Sequence, residues 1–202
     1  MEHARSVRGP ATIVAALALL AGSFPAQAHT GTGLAGGFFA GFVHPLSGPD
    51  HLLAMVSVGL WGAFLGRPLV HVLPVVFPAM MVGGAMLGMY GAVLPSIEDG
   101  IALSVLVLGL CIAFAWKAPV WMAIAVVAFF ALFHGYAHGR ELPAAADPVG
   151  YSTGFVLATG LLHVAGIALG LLQTRPLGVL ATRCLGGLIG AAGLYFLVGA
   201  AA

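Results

Sequence analysis

The chain has 202 residues, of which 61% are hydrophobic and only 6% charged, and its formal net charge is +1. This composition excludes an ordinary soluble domain. The lack of any basic run excludes nucleic acid as a partner, and two cysteines in apolar segments, Cys111 and Cys184, cannot build a disulfide framework. What remains is an all-α, polytopic transmembrane helix bundle with membrane lipid as its surroundings.

The N-terminus carries Arg5 and Arg8, an apolar stretch from Thr12 to Leu20, and Ala26-Gln27-Ala28. That order of basic, apolar and small residues is the pattern of a cleaved secretory signal peptide. Residues 1–28 are therefore expected to leave, and residues 29–202 to form one six-helix domain. A retained membrane anchor is the alternative. Cleavage after Ala28 makes His29 the mature N-terminus on the outer side, where its amine and imidazole form a bidentate nitrogen ligand for a borderline metal.

Charged and Pro/Gly-rich punctuation then cuts six predicted spans: Leu34 to Leu65, Leu69 to Leu94, Gly100 to Trp116, Pro119 to His138, Gly150 to Leu172 and Leu177 to Ala200. A helix rises about 1.5 Å per residue against a hydrocarbon layer of about 30 Å, so each can cross once tilt and interfacial anchors are allowed for. With the mature N-terminus outside, Arg67, Lys117, Arg175 and Arg183 all fall inside, whereas Glu98, Asp99, Glu141 and Asp147 fall outside with Arg140. This is the bias expected when Lys and Arg accumulate on the cytoplasmic side. It places the C-terminus outside as well. Gly33/Gly37/Gly41, Gly62/Gly66, Gly84/Gly88, Gly166/Gly170 and Gly186/Gly190 have the small-xxx-small spacing that lets helix backbones approach closely in lipid.

The first span contains His44-Pro45-Leu46-Ser47-Gly48-Pro49-Asp50-His51. Two imidazoles and a carboxylate at membrane depth require a partner, an ion or water. Pro45 and Pro49 remove two backbone donors, so the span is expected to break there, with Ser47 and Asp50 capping the helix that restarts. Seven residues of helix leave His44 and His51 only about 20° apart in azimuth, so a kink brings both toward one ion. Met55, one turn further on, reads mainly as a space filler.

The fourth span ends Phe133-His134-Gly135-Tyr136-Ala137-His138-Gly139-Arg140-Glu141. His134 and His138 stand one turn apart, a spacing at which two imidazoles share a metal. Glu141 shares their face if the helix continues, and otherwise pairs with Arg140 at the interface. Counted from the inner end at 1.5 Å per residue, His51 lies about 24 Å up and His134 about 26 Å up, so the two clusters are predicted to meet in the outer half. His163 in the fifth span lies about 18 Å up, either a further ligand or a satisfied core histidine.

Taken together, His44-x5-Asp50-His51, Phe133-His134-Gly135-x-Ala137-His138-Gly139-x-Glu141 and a His at the processed N-terminus resemble the HupE/UreJ family of nickel permeases associated with hydrogenase and urease. The likeness covers essentially the whole mature chain, and Ala158-Thr159-Gly160-Leu161-Leu162-His163 matches the family's fifth-span Ala-Thr-x-x-Leu-His. The resemblance implies secondary, energy-independent or facilitated entry of Ni²⁺, and in some relatives Co²⁺, across the bacterial inner membrane to supply nickel enzymes. It implies no catalysis and no prosthetic group, and it carries His44, Asp50, His51, His134, His138 and Glu141 as metal ligands.

Donor chemistry points the same way from the residues alone. Nitrogen-rich sites with one or two carboxylates suit Ni²⁺, Co²⁺, Zn²⁺ or Cu²⁺ better than Mg²⁺ or Ca²⁺, which prefer oxygen shells. The expected route runs from His29 through His44, Asp50, His51, His134 and His138 to His163, and proton competition at the imidazoles weakens capture below about pH 6. The rival scheme is an intramembrane zinc-dependent hydrolase built from Asp50, His51, His134 and His138. It lacks a nucleophile or oxyanion donor beyond Ser47 or Ser57.

Overall fold

The computed structural model describes residues 34–141 and 147–200, with the side chains of residues 34–36 and 141 left out. The expected signal peptide and His29 lie outside the described residues, as does the side chain of Glu141. Among the described residues the structure is helical throughout: α1 (Leu34–Ser47), α2 (Pro49–Leu65), α3 (Leu69–Met89), α4 (Ile97–Ala113), α5 (Val120–Glu141), α6 (Pro148–Gly170), a 3-10 turn (Leu171–Thr174) and α7 (Pro176–Ala200). Four segments are long and apolar enough to cross a membrane: Leu69–Met89, Val120–Arg140, Pro148–Thr174 and Pro176–Ala200.

The interruption between α1 and α2 falls at Gly48 and not at both prolines. Pro45 sits inside α1, whereas Pro49 opens α2, the first-turn position where a missing N–H costs nothing. The expected Ser47 cap is absent: the Ser47 hydroxyl donates to the His44 carbonyl at 2.8 Å, and Gly48 caps α2 without a side-chain bond. The reason is local. Gly48 N–H reaches the His44 carbonyl only at 3.4 Å, so that carbonyl takes the nearby hydroxyl, as last-turn serines commonly provide. Asp50 does serve the first turn of α2, accepting the His51 backbone N–H at 2.7 Å.

Counting α1 and α2 as one segment, the described helices pack as three close pairs. Gly41 lies against Tyr151 and Gly59 against His163, so α1–α2 and α6 run parallel. Met81 lies against Gly135 and Ala85 against Gly139, so α3 and α5 are parallel as well. Gly109 meets Gly190 and Gly186 meets Ala113, which makes α4 and α7 antiparallel. Exchanging the first three segments for the last three leaves this scheme unchanged, because first-with-fifth becomes fourth-with-second and third-with-sixth maps onto itself. Such internal symmetry is a common architecture of secondary transporters.

Small residues set these approaches, as expected in lipid. A β-carbon on Gly135 would strike the Met81 carbonyl, and one on Gly59 would strike the carbonyl of His163. Gly66 is different from the packing role expected of it: it ends α2 with φ of +76°, and a β-carbon there would meet no neighbour. Between the pairs lies a core of Met55, Val58, Leu60, Trp61, Leu73, Phe77 and Leu108, while Val75, Val82, Phe129, Leu161, Val164 and Leu188 point outward. Met55 is thus core packing. Apolar side chains on both the inside and the outside are what a bundle solvated by hydrocarbon requires.

Candidate metal centre

The fold brings the two histidine motifs together. The rings of His51 and His134 lie 4.8 Å apart between centroids, His51 and His138 4.7 Å, and His44 and His138 4.9 Å. His44 and His51 stand 6.2 Å apart across the break. The predicted common level of the clusters is therefore realised, with α1, α2 and α5 each supplying imidazoles. His134 is completely buried and His138 nearly so, and His44 and His51 are partly covered. His71 is exposed at the start of α3, away from the cluster. Among the described residues, no three His, Cys, Asp or Glu side chains close on one point as a finished coordination shell does; the arrangement is an open cluster of rings packed edge to face.

Hydrogen bonding assigns a direction to three of the rings. The Asp50 carboxylate lies 2.8 Å from His51 Nδ1. An ionised carboxylate only accepts, so Nδ1 carries the proton, and in the neutral ring Nε2 keeps its lone pair. Ser104 donates to the Ile101 carbonyl at 2.6 Å and lies 2.9 Å from His134 Nε2. With the hydroxyl proton already used, Nε2–H of His134 must be the donor, which leaves Nδ1 as the bare nitrogen. His163 bonds through its ring to the backbone of Pro74, necessarily to the carbonyl because proline has no N–H. Pro78 supplies no N–H to that carbonyl, so His163 takes the place of the missing helical donor.

His51 Nε2, His134 Nδ1 and His163 Nε2 are all buried and have no hydrogen-bond partner among the described residues. A buried polar atom without a partner is costly, and a set of three demands a reason. Fixing one ring nitrogen with a carboxylate, hydroxyl or carbonyl and presenting the other bare is how proteins orient imidazole ligands for a metal. His163 does not join the outer four. Phe77 separates it from them, with ring centroids 5.4 Å from His134 and 5.5 Å from His163.

Several contributors were not singled out in the sequence. Tyr151 and Phe155 of α6 flank His44 at 5.8 and 6.2 Å, and Phe155 covers His138 at 4.4 Å. His138 also lines a small cavity, ≈ 80 Å³, with Pro78, Met81 and Thr159. The one signal for Ser104 was a hydroxyl in an otherwise apolar span; nothing pointed to its partner on α5.

The fold and site together define an all-helical membrane protein with a histidine-rich interior. The chain matches the family model HupE / UreJ protein over residues 17–196 and is 47% identical over 189 residues to Protein HupE of Rhizobium leguminosarum bv. viciae, covering 93% of this chain and 96% of that relative. The chain belongs to the HupE/UreJ family. No solved structure matches it.

Proposed function

We propose that the protein is a permease that moves a divalent transition metal, Ni²⁺ or Co²⁺, across the bacterial inner membrane into the cytoplasm, where it supplies enzymes such as hydrogenase or urease. The observation that carries this reading is the pair His51 and His134: two helices each offer a bare imidazole nitrogen in the same buried place, each oriented from behind by a fixed acceptor. Membership of the HupE/UreJ family supports it independently. The topology is six spans after a cleaved signal peptide with both mature termini outside, and the parallel and antiparallel helix pairs agree with that count.

In this scheme His29 collects the hydrated cation. His44, Asp50, His51, His134 and His138 exchange for its water, Glu141 adds negative charge at the outer end, and His163 receives the ion further in. An open cluster suits this task better than a closed shell, since a permeation site must release what it binds. The hydrolase gains no support from Ser47, whose hydroxyl is engaged with its own helix. The test is uptake of radiolabelled Ni²⁺ in competition with Co²⁺ and Zn²⁺ by cells making the wild-type protein, His51→Ala or His134→Ala at equal level. Loss of uptake in both variants is the expected result, and retention in both would refute the route.

A further inference from the structure

Phe77 is fully buried and its ring packs against His134 on one side and His163 on the other. The imidazoles on both sides present bare nitrogens, Nδ1 of His134 and Nε2 of His163. An apolar ring interposed between two donors interrupts a polar route at one point, and apolar constrictions of this kind gate by excluding a hydrated ion. The helix that carries the ring is weakened on both sides of it. Pro74 and Pro78 both lie inside α3, so the carbonyls of Val70 and Pro74 lose their intrahelical partners, and helices bend at such places. One of those carbonyls is held by His163. A change at His163 is therefore transmitted to the turn that carries Phe77.

We propose that Phe77 is the gate between an outer station, His44/His51/His134/His138, and an inner station at His163, and that the His163 bond to the Pro74 carbonyl couples occupancy of the inner station to the α3 turn on which the ring sits. This inference rests on the permease reading. In the closed state the ring separates the stations, and an ion passes only when the ring swings away. Substituting Phe77 should thus alter the rate of passage without altering capture.

The test uses the purified full chain in two measurements: equilibrium binding of Ni²⁺ by calorimetry in detergent, and Ni²⁺ entry into vesicles loaded with a metal-sensitive dye. Phe77→Trp is expected to slow entry by about tenfold or more, and Phe77→Ala to speed it several-fold while narrowing the preference for Ni²⁺ over Zn²⁺, with Ni²⁺ binding unchanged in both. Phe77→Leu, which strains the core least, should lie between wild type and Phe77→Ala. His163→Ala should keep outer binding and lose entry. Wild-type entry in both Phe77→Trp and Phe77→Ala, or loss of binding together with entry in folded Phe77→Leu, would overturn the gate. Wild type, His51→Ala and His134→Ala run alongside separate the failures: if wild type binds without entry, the permease reading is wrong; if the two histidine variants keep both binding and entry, the histidine route is wrong; if they lose both while the Phe77 variants match wild type, the gate alone is.

Discussion

Ser104 accepts a hydrogen bond from His134 at 2.9 Å while its own proton is committed to the Ile101 carbonyl. A single hydroxyl on α4 therefore decides which nitrogen of a histidine on α5 faces the cluster. Ser104→Ala removes that acceptor and leaves His134 free to take either tautomer or to rotate. Outer-shell partners of this kind are worth about 10–100-fold in metal affinity, so Ni²⁺ binding should weaken by about that factor. Ser104→Thr keeps the hydroxyl and should restore most of it. Calorimetry on the two variants checks the pair, and equal affinities would show that the hydroxyl is only packing.

Asp50 is the corresponding partner of His51, with the added weight of a charge. Its carboxylate takes both the backbone N–H and the ring N–H of His51, at 2.7 and 2.8 Å. Asp50→Asn retains an oxygen that can accept from the ring but removes the negative charge near the cation. Asp50→Ala removes both. The expected order of initial Ni²⁺ uptake is wild type, then Asp50→Asn, then Asp50→Ala, with the alanine variant at least about tenfold below wild type. Uptake assays at matched protein level give the order directly, and an alanine variant as active as wild type would separate Asp50 from the cation path.

The meeting of the two histidine motifs was legible because helical rise converts sequence position into depth, and both motifs could be counted from a basic residue at the same membrane face. The faces were legible too, since seven-residue and four-residue spacings bring His44 toward His51 and His134 toward His138. The break at Gly48 was only half legible. Prolines mark where donors are missing, but which carbonyl a neighbouring serine satisfies depends on the fine geometry of the last turn, and Ser47 turned back to His44. Ser104, Tyr151, Phe155 and Phe77 could not be read at all as neighbours of the histidines. Their roles arise from which helices pair, and small-xxx-small spacing shows that a helix packs closely without showing against what. The carbonyl bonded by His163 shows the same limit: Pro78 predicts an orphaned acceptor, but only the fold supplies the donor.

Gly135 lies beside His134 and allows α5 to touch α3 at the Met81 carbonyl. Any side chain there must push the two helices apart and move His134 with them. Gly135→Leu should therefore be more damaging than a single added β-carbon. Overpacking typically costs about 1–3 kcal/mol, and because the β-carbon of Gly135→Ala meets backbone and not a flexible side chain, that variant should lie at the upper end of the range or above it. Thermal unfolding in detergent should show melting points falling in the order wild type, Gly135→Ala, Gly135→Leu, with Ni²⁺ binding lost in the leucine variant. Gly187, which has open space around it, is the control, and Gly187→Leu should leave both measurements unchanged.

The last prediction concerns orientation, on which the direction of transport depends. Lys117 lies between α4 and α5, and Asp147 caps the start of α6. If basic residues mark the cytoplasmic side, a reporter placed near Lys117 faces the cytoplasm and one near Asp147 or after Ala202 faces outward. Alkaline phosphatase is active only outside, and green fluorescent protein exported in unfolded form is dark there. Fusions ending near Asp147 or at Ala202 should therefore give phosphatase activity and no fluorescence, and a fusion ending at Lys117 the reverse. A fluorescent, phosphatase-negative fusion at Ala202 would mean an odd number of crossings after the outer N-terminus. It would leave the helix pairing intact but remove the reason for placing the histidine cluster in the outer half of the membrane.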